Sequence, residues 1–456
     1  MKSPSRPAPD HPLWLALIPT GYLVSFAYGN WLNSTNCISA SAFDYLRKAF
    51  GLASKIEYID YWEARTLCID PYWVNQWLKN YSAGLVKRGF LGTSLEILSP
   101  GEINMVLLNI ACVLIPIAIL LMMALVIRRQ TRRTWLLIST FIAIIALSPF
   151  GKVLGETTGD PLQVVCLLTF IGLTIITSQR FRLDQRITSC ALAAIYLINI
   201  LIYEGSFLLL LPMLAIGRGR IPRLISLASI GLGAALIWQF SGAESPETGQ
   251  LISSSYSGYN PITGYSIQYI HHQSLAASAS FFFNVKQEFS KYMEDPYGSI
   301  RWIGTAATMS LFFMLVIANF FFNPKTKSHY RFIKNWLAIS VCGLPFFLIT
   351  HDWFRYGIIT IILAVAMLVP PTTKQPEASY THELGSSLIP EIVVLFVLAV
   401  IAAAIGPHQL DVRRGIVPII FWQAYGSMAA VAALTLWRLL RTEATASRRV
   451  PYSLRD

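Results

Sequence analysis

Apolar runs recur along this chain, many about as long as the 20 residues or so a helix needs to cross roughly 30 Å of hydrocarbon. They fall near 13–33, 104–126, 135–151, 161–178, 187–203, 206–217, 224–240, 302–322, 335–350, 356–370, 388–405 and 416–437. Backbone groups in hydrocarbon must find their hydrogen bonds within the segment, which selects helices for runs of this kind. The expectation is an all-α, polytopic integral membrane protein of about 12 transmembrane helices. The fifth and sixth runs are short and suggest a re-entrant or broken pair. Composition agrees: 54% of residues are hydrophobic and 13% charged, against about a quarter charged in soluble domains.

Connections between the runs set the domain plan. Residues 1–440 read as a single transmembrane domain, with 34–103 and 241–301 as long extracytoplasmic loops and 441–456 as a basic cytoplasmic tail. Met1 to His11 holds only Lys2 and Arg6 before the first run and no small-residue cleavage site follows, so the first helix is expected to stay as an anchor. A net charge of +12 raises the question of nucleic acid. However, the cations gather in the connections expected to be cytoplasmic: Arg128, Arg129, Arg132 and Arg133; Arg218 and Arg220; Lys325, Lys327, Arg331 and Lys334. Membrane orientation accounts for that excess, with both termini inside, and no nucleic-acid role is expected.

The first outer loop is too long for a simple connection. Its stretches 43–48 and 56–65 are amphipathic and rich in Tyr and Trp, as helices lying at the headgroup level are. They serve either as surface anchors or, through Asp60 and Glu63 on one helical face, as part of a site above the bilayer. Cys37 and Cys68 share this loop, where an oxidising compartment permits a disulfide. Cys112, Cys166, Cys190 and Cys342 fall in apolar runs as small core residues. No metal-ligand spacing occurs among Cys and His, and no cofactor is expected.

Residues 79–92 place the adjacent cations Lys87 and Arg88 among Gly84, Gly89 and Gly92. Glycines allow close backbone approach and unusual turns, and an Arg–Lys pair suits phosphate. The bland reading is snorkelling to headgroups. The segment 150–161 reads as an outer turn with Lys152, Glu156 and Asp160. Asp160 followed by Pro161 is a helix start, which explains Asp160 by capping alone but leaves Glu156 and Lys152 unexplained. Glu204 lies between apolar stretches and needs a partner or a function. Asp352 and Arg355, three apart in a tight connection, form either a structural ion pair or a carboxylate held ready by an arginine. Arg413 and Arg414 fall in the last outer turn, and His271 and His272 in a loop that reads either as a mobile lid or as an acceptor-contact loop.

All these groups fall on one face under a single topology, while the apolar cores hold almost no ionisable residues. A coupled transporter would carry charges near mid-membrane. The expected site is therefore a phosphate-binding set, Lys87, Arg88, Lys152 and Arg355, beside candidate catalytic carboxylates Asp160, Asp352, Glu156 and Glu204. Cations would stabilise a phosphate leaving group, and a carboxylate would accept the proton of an acceptor hydroxyl.

A long first outer loop, many spans and an acid opening a later helix (Gly159-Asp160-Pro161-Leu162) resemble membrane glycosyltransferases of the GT-C class. The 81–92 stretch with Asp352-Trp353-Phe354-Arg355 also resembles bacterial membrane proteins of surface-polysaccharide clusters, O-antigen-polymerase-like proteins among them. The chain lacks the acidic pair of the GT-C pattern after the first span; Asp44 stands there alone. The resemblance implies a bacterial inner-membrane enzyme using a polyprenyl-phosphate-linked sugar and a glycan acceptor, alongside other envelope-assembly proteins. A transporter or flippase of lipid-linked glycans, and a non-catalytic scaffold, are the alternatives from other classes.

Overall fold

The computed structural model describes residues 11–33, 71–85, 88–98, 105–131, 134–147, 149–177, 184–217, 219–241, 296–322, 327–347 and 353–369, with a few single positions besides. Of the described residues 88% are helical, and no strand occurs among them. After a 3-10 turn at Pro12–Ala16 come α1 (Leu17–Asn33), α2 (Pro71–Leu78), α3 (Gly89–Leu98), α4 (Met105–Thr131), α5 (Trp135–Leu147), α6 (Pro149–Glu156) and α7 (Pro161–Ile176). Then follow α8 (Gln185–Ile202), α9 (Ser206–Leu209), α10 (Leu211–Leu214), α11 (Arg220–Ser241), α12 (Pro296–Phe321), α13 (Lys327–Phe347) and α14 (Trp353–Ala366). The expected runs at 388–405 and 416–437, the stretches 43–48 and 56–65, Cys37, Cys68, His271, His272, Arg413, Arg414 and the tail lie outside the described residues.

Among the described residues, three stretches are long and apolar enough to cross a membrane: Ile110–Thr131, Gln185–Ile202 and Arg220–Gln239. Half of the first is buried inside the protein but only 17% of the last, so α4 sits in the bundle and α11 on its periphery. Such helices suit a membrane-associated chain.

Helix α14 is central, packed against α4, α6, α7, α12 and α13. At 14 residues it is only about 21 Å long, yet Ile361 through Ala366 are fully buried. An apolar helix surrounded by protein is hydrophobic all round and need not match a bilayer.

Several boundaries differ from the sequence expectation. Residues 150–161, expected as a turn, begin with helix α6, and the turn proper is Thr157 to Gly159. Gly151 makes the bend from α5 possible, since a Cβ there would lie 1.7 Å from the Ala146 carbonyl oxygen. The run at 206–217 is two single-turn helices, α9 and α10, instead of one span. Pro212 cannot donate to the Leu208 carbonyl and so interrupts the helix. Side chains occupy nearby carbonyls instead: the Tyr196 hydroxyl donates to Phe207 O at 2.9 Å and Ser226 to Leu214 O at 3.1 Å. Helix α4 continues through Arg128 and Arg129, expected in a loop, and places both in its last turn, where the carbonyl end favours cations.

Hydrogen bonds mark the two ends of the bundle. At one end Gln130 donates to Leu368 O (2.7 Å), Arg331 to Met367 O (3.0 Å) and Ser328 to Gln130 (3.2 Å), tying α4, α13 and the end of α14 together. The start of α14 lies at the other end, where the buried charges gather.

Candidate functional site

The site is built on four chain segments. The first is the hairpin of α2 and α3. Gln76 in α2 and Lys79 and Asn80 just after it are buried, at 1%, 4% and 0% exposure, so this part of the hairpin is folded into the bundle. Gly92 permits this, because a Cβ on it would stand 1.9 Å from the Lys79 carbonyl oxygen. Trp77 Nε1 donates to Gly159 O at 2.5 Å and fastens the hairpin to the turn before α7. The left-handed positions are Gly84 (φ 96°) and Arg88 itself (φ 62°), not Gly89, which opens α3. A left-handed non-glycine residue costs about 1–2 kcal/mol, so the contacts of the Arg88 side chain must hold it there.

Those contacts are with Glu204 and Gln76. Arg88 Nε donates to Glu204 Oε2 at 2.8 Å, Nη2 to Oε1 at 2.5 Å, and Nη1 to Gln76 Oε1 at 3.0 Å. Its guanidinium lies over the Tyr203 ring, 4.4 Å from the centroid, within the range of a cation–π contact. Glu204 is placed by the turn that closes α8, where Tyr203 takes an extended conformation.

Asp160 and Arg355 form the second pair. Asp160 caps α7, its Oδ1 accepting from Leu162 N at 3.0 Å, as the Asp-Pro start predicts. Its Oδ2 stands 3.4 Å from Arg355 Nε. Arg355 Nη2 donates to Tyr356 Oη at 2.6 Å and Tyr203 Oη at 3.2 Å, and the two phenol oxygens are 2.6 Å apart. The guanidinium also meets the Trp73 ring at 5.0 Å and the Tyr356 ring at 4.8 Å. Tyr203 therefore joins the two ion pairs, presenting its face to Arg88 and its hydroxyl to Arg355.

Of the expected site residues, the structure brings together Arg88, Asp160, Glu204 and Arg355, which are far apart in sequence. Arg355 pairs with Asp160; Asp352 and Lys87 lie outside the described residues. Lys152 and Glu156 belong to α6, with their side chains outside the described set. Sequence reasoning missed Gln76, Lys79, Trp73, Tyr203 and Tyr356. The available signal was adjacency, since Tyr203 precedes Glu204 and Tyr356 follows Arg355.

Accessibility separates the pairs. The side chains of Arg88 and Glu204 are 13% and 19% exposed, those of Arg355 and Asp160 6% and 0%. The first pair is partly open to solvent, and the second is enclosed by protein. Among the described residues no group of three His, Cys, Asp or Glu is placed to hold a metal ion. Comparison with protein-family models, curated proteins and solved structures finds no match to this chain.

Proposed function

We propose that this chain is a multi-pass inner-membrane enzyme of envelope glycan assembly, acting at the extracytoplasmic face on a sugar carried by a polyprenyl phosphate. The observation that carries this reading is the convergence of Arg88, Asp160, Glu204 and Arg355, from four separate stretches, into one linked network at one end of an apolar bundle. Buried charges are costly, and a linked set at a helix-bundle end points to function.

The more accessible pair sets the roles. Arg88 binds the phosphate and stabilises the charge developing on its bridging oxygen. Glu204, freed from Arg88 when phosphate takes its place, accepts the proton of the acceptor hydroxyl. That hydroxyl oxygen bonds to the anomeric carbon, the bond from that carbon to the phosphate oxygen breaks, and the leaving phosphate keeps the electron pair. Both oxygens of Asp160 are engaged, one with Leu162 N and one with Arg355, so it positions Arg355 and Tyr203 and does not meet substrate.

A second reading, a non-catalytic scaffold of the same pathway, draws support from both guanidiniums already holding carboxylates. Replacing Arg88 and Glu204 singly by Gln, with surface glycan and protein level both measured, separates the two. Glycan lost at normal protein level supports the enzyme, whereas glycan unchanged in both variants supports the scaffold and ends the catalytic reading.

A further inference from the structure

We infer that Lys79, Gln76 and Arg88 form a seat for a phosphoryl group, and that the Glu204 carboxylate occupies its Arg88 side when no ligand is bound. This rests on the anion-binding reading above and extends it to residues that reading does not use. Gln76 Oε1 accepts from Lys79 Nζ at 2.7 Å and from Arg88 Nη1 at 3.0 Å, so an ammonium and a guanidinium meet at one amide oxygen. The two cations are no farther apart than those two hydrogen bonds laid end to end. Like charges held that closely away from bulk water repel, and an anion between them relieves the repulsion. Lys79 and Gln76 are 4% and 1% exposed, so the convergence is built into the hairpin and is not a chance meeting of surface chains.

Glu204 shows the shape of the ligand. Its two oxygens accept from Nε and Nη2 of Arg88 in a two-pronged fork, which phosphate oxygens also fit. When the carboxylate leaves, Arg88 keeps the Tyr203 ring and Gln76 as supports. Glu204 lies in the turn between α8 and α9, so its release moves no helix. Arg355 makes a poorer seat. Aromatic rings cover it, Nη2 serves two tyrosine hydroxyls, and Nε faces Asp160. The ligand class is a phosphoryl oxygen set, from a lipid-linked phosphate or from free phosphate.

The test is calorimetric titration of the purified full-length protein in nanodiscs with inorganic phosphate and, separately, with farnesyl phosphate. Lys79→Met is expected to weaken binding about tenfold or more, the scale of one hydrogen bond to a charged group. Glu204→Gln is expected to tighten it about threefold, in keeping with the modest worth of a part-exposed ion pair. Arg223→Gln, on the exposed side of α11, leaves binding unchanged. Either probe binding with this pattern supports the seat, and the tighter probe identifies the source of the phosphate. The seat is overturned if wild type binds neither probe, if a monodisperse Lys79→Met variant binds as wild type does, or if Glu204→Gln binds no tighter. Should Lys79→Met fail to fold, the Glu204→Gln result alone decides. Surface glycan is read separately: the binding pattern with glycan untouched in Arg88→Gln and Glu204→Gln upholds the seat and defeats the enzymatic reading, and glycan lost in those two variants without the binding pattern does the reverse.

Discussion

Removing the Asp160 carboxylate tests the hidden half of the network. In Asp160→Ala the N–H of Leu162 loses its cap at the start of α7, worth about 1 kcal/mol. The same change strands the Arg355 guanidinium, 6% exposed and 3.4 Å from the missing oxygen, and breaking a buried pair from one side costs about 3–5 kcal/mol. Together the loss is about 4–6 kcal/mol, from the sum of cap and pair. Asp160→Asn retains an acceptor for Leu162 and escapes the cap term, so it should be milder by about 1 kcal/mol. Adding Arg355→Gln to Asp160→Asn removes the stranded charge, and the double variant should recover about 1–3 kcal/mol relative to additive costs. Reversible unfolding in mixed micelles, followed by tryptophan fluorescence, measures wild type, both Asp160 variants, Arg355→Gln alone and the double variant, with Trp73 and Trp77 at the site as local reporters. An Asp160→Ala protein within about 0.5 kcal/mol of wild type, the range of an ordinary surface change, would refute the reasoning, as would strict additivity in the double variant.

Two further perturbations probe the hairpin. Gly92→Ala drives a methyl group into the Lys79 carbonyl, 1.9 Å from where its Cβ would stand; the same unfolding measurement should show a loss of about 1–3 kcal/mol, and phosphate binding should weaken as α3 is pushed away from the Lys79 turn. The buried Tyr81 hydroxyl has no hydrogen-bond partner, and burial pushes its pKa up from 10.0 to about 12. Ionisation then favours the unfolded chain, so the contribution to stability is intact below pH 10 and is lost as pH rises through 12. Tyr81→Phe should be neutral or slightly stabilising near pH 7 and should flatten that alkaline limb, as a stability–pH profile will show.

The helices were legible because apolar runs and caps are local signals. Asp160 followed by Pro161 announced α7, and Glu204 between apolar stretches announced a need for a partner. Partner identity was not legible. Arg355 meets Asp160, and Arg88 meets Glu204, through the relative register of packed helices, which no short window of sequence encodes. Lys79 was missed because its burial depends on Gly92 letting α3 pack against its carbonyl. Glycine content also suggested that glycines take the unusual backbone angles of the hairpin. Gly84 does, but the second left-handed position belongs to Arg88, held by contacts from α2 and the α8 turn. The α6 helix was missed because the three glycines and mixed charges of 150–161 resemble a turn when tertiary packing is ignored.

The most direct measurement of the central claim is the identity of the phosphate-bearing lipid carried by the protein. Native mass spectrometry of gently purified wild type should find a prenyl-phosphate-linked species bound in near-equal amount to protein, enriched over bulk phospholipid and lost in Arg88→Gln. Ordinary phospholipids alone, in the same proportions in wild type and Arg88→Gln, would contradict it.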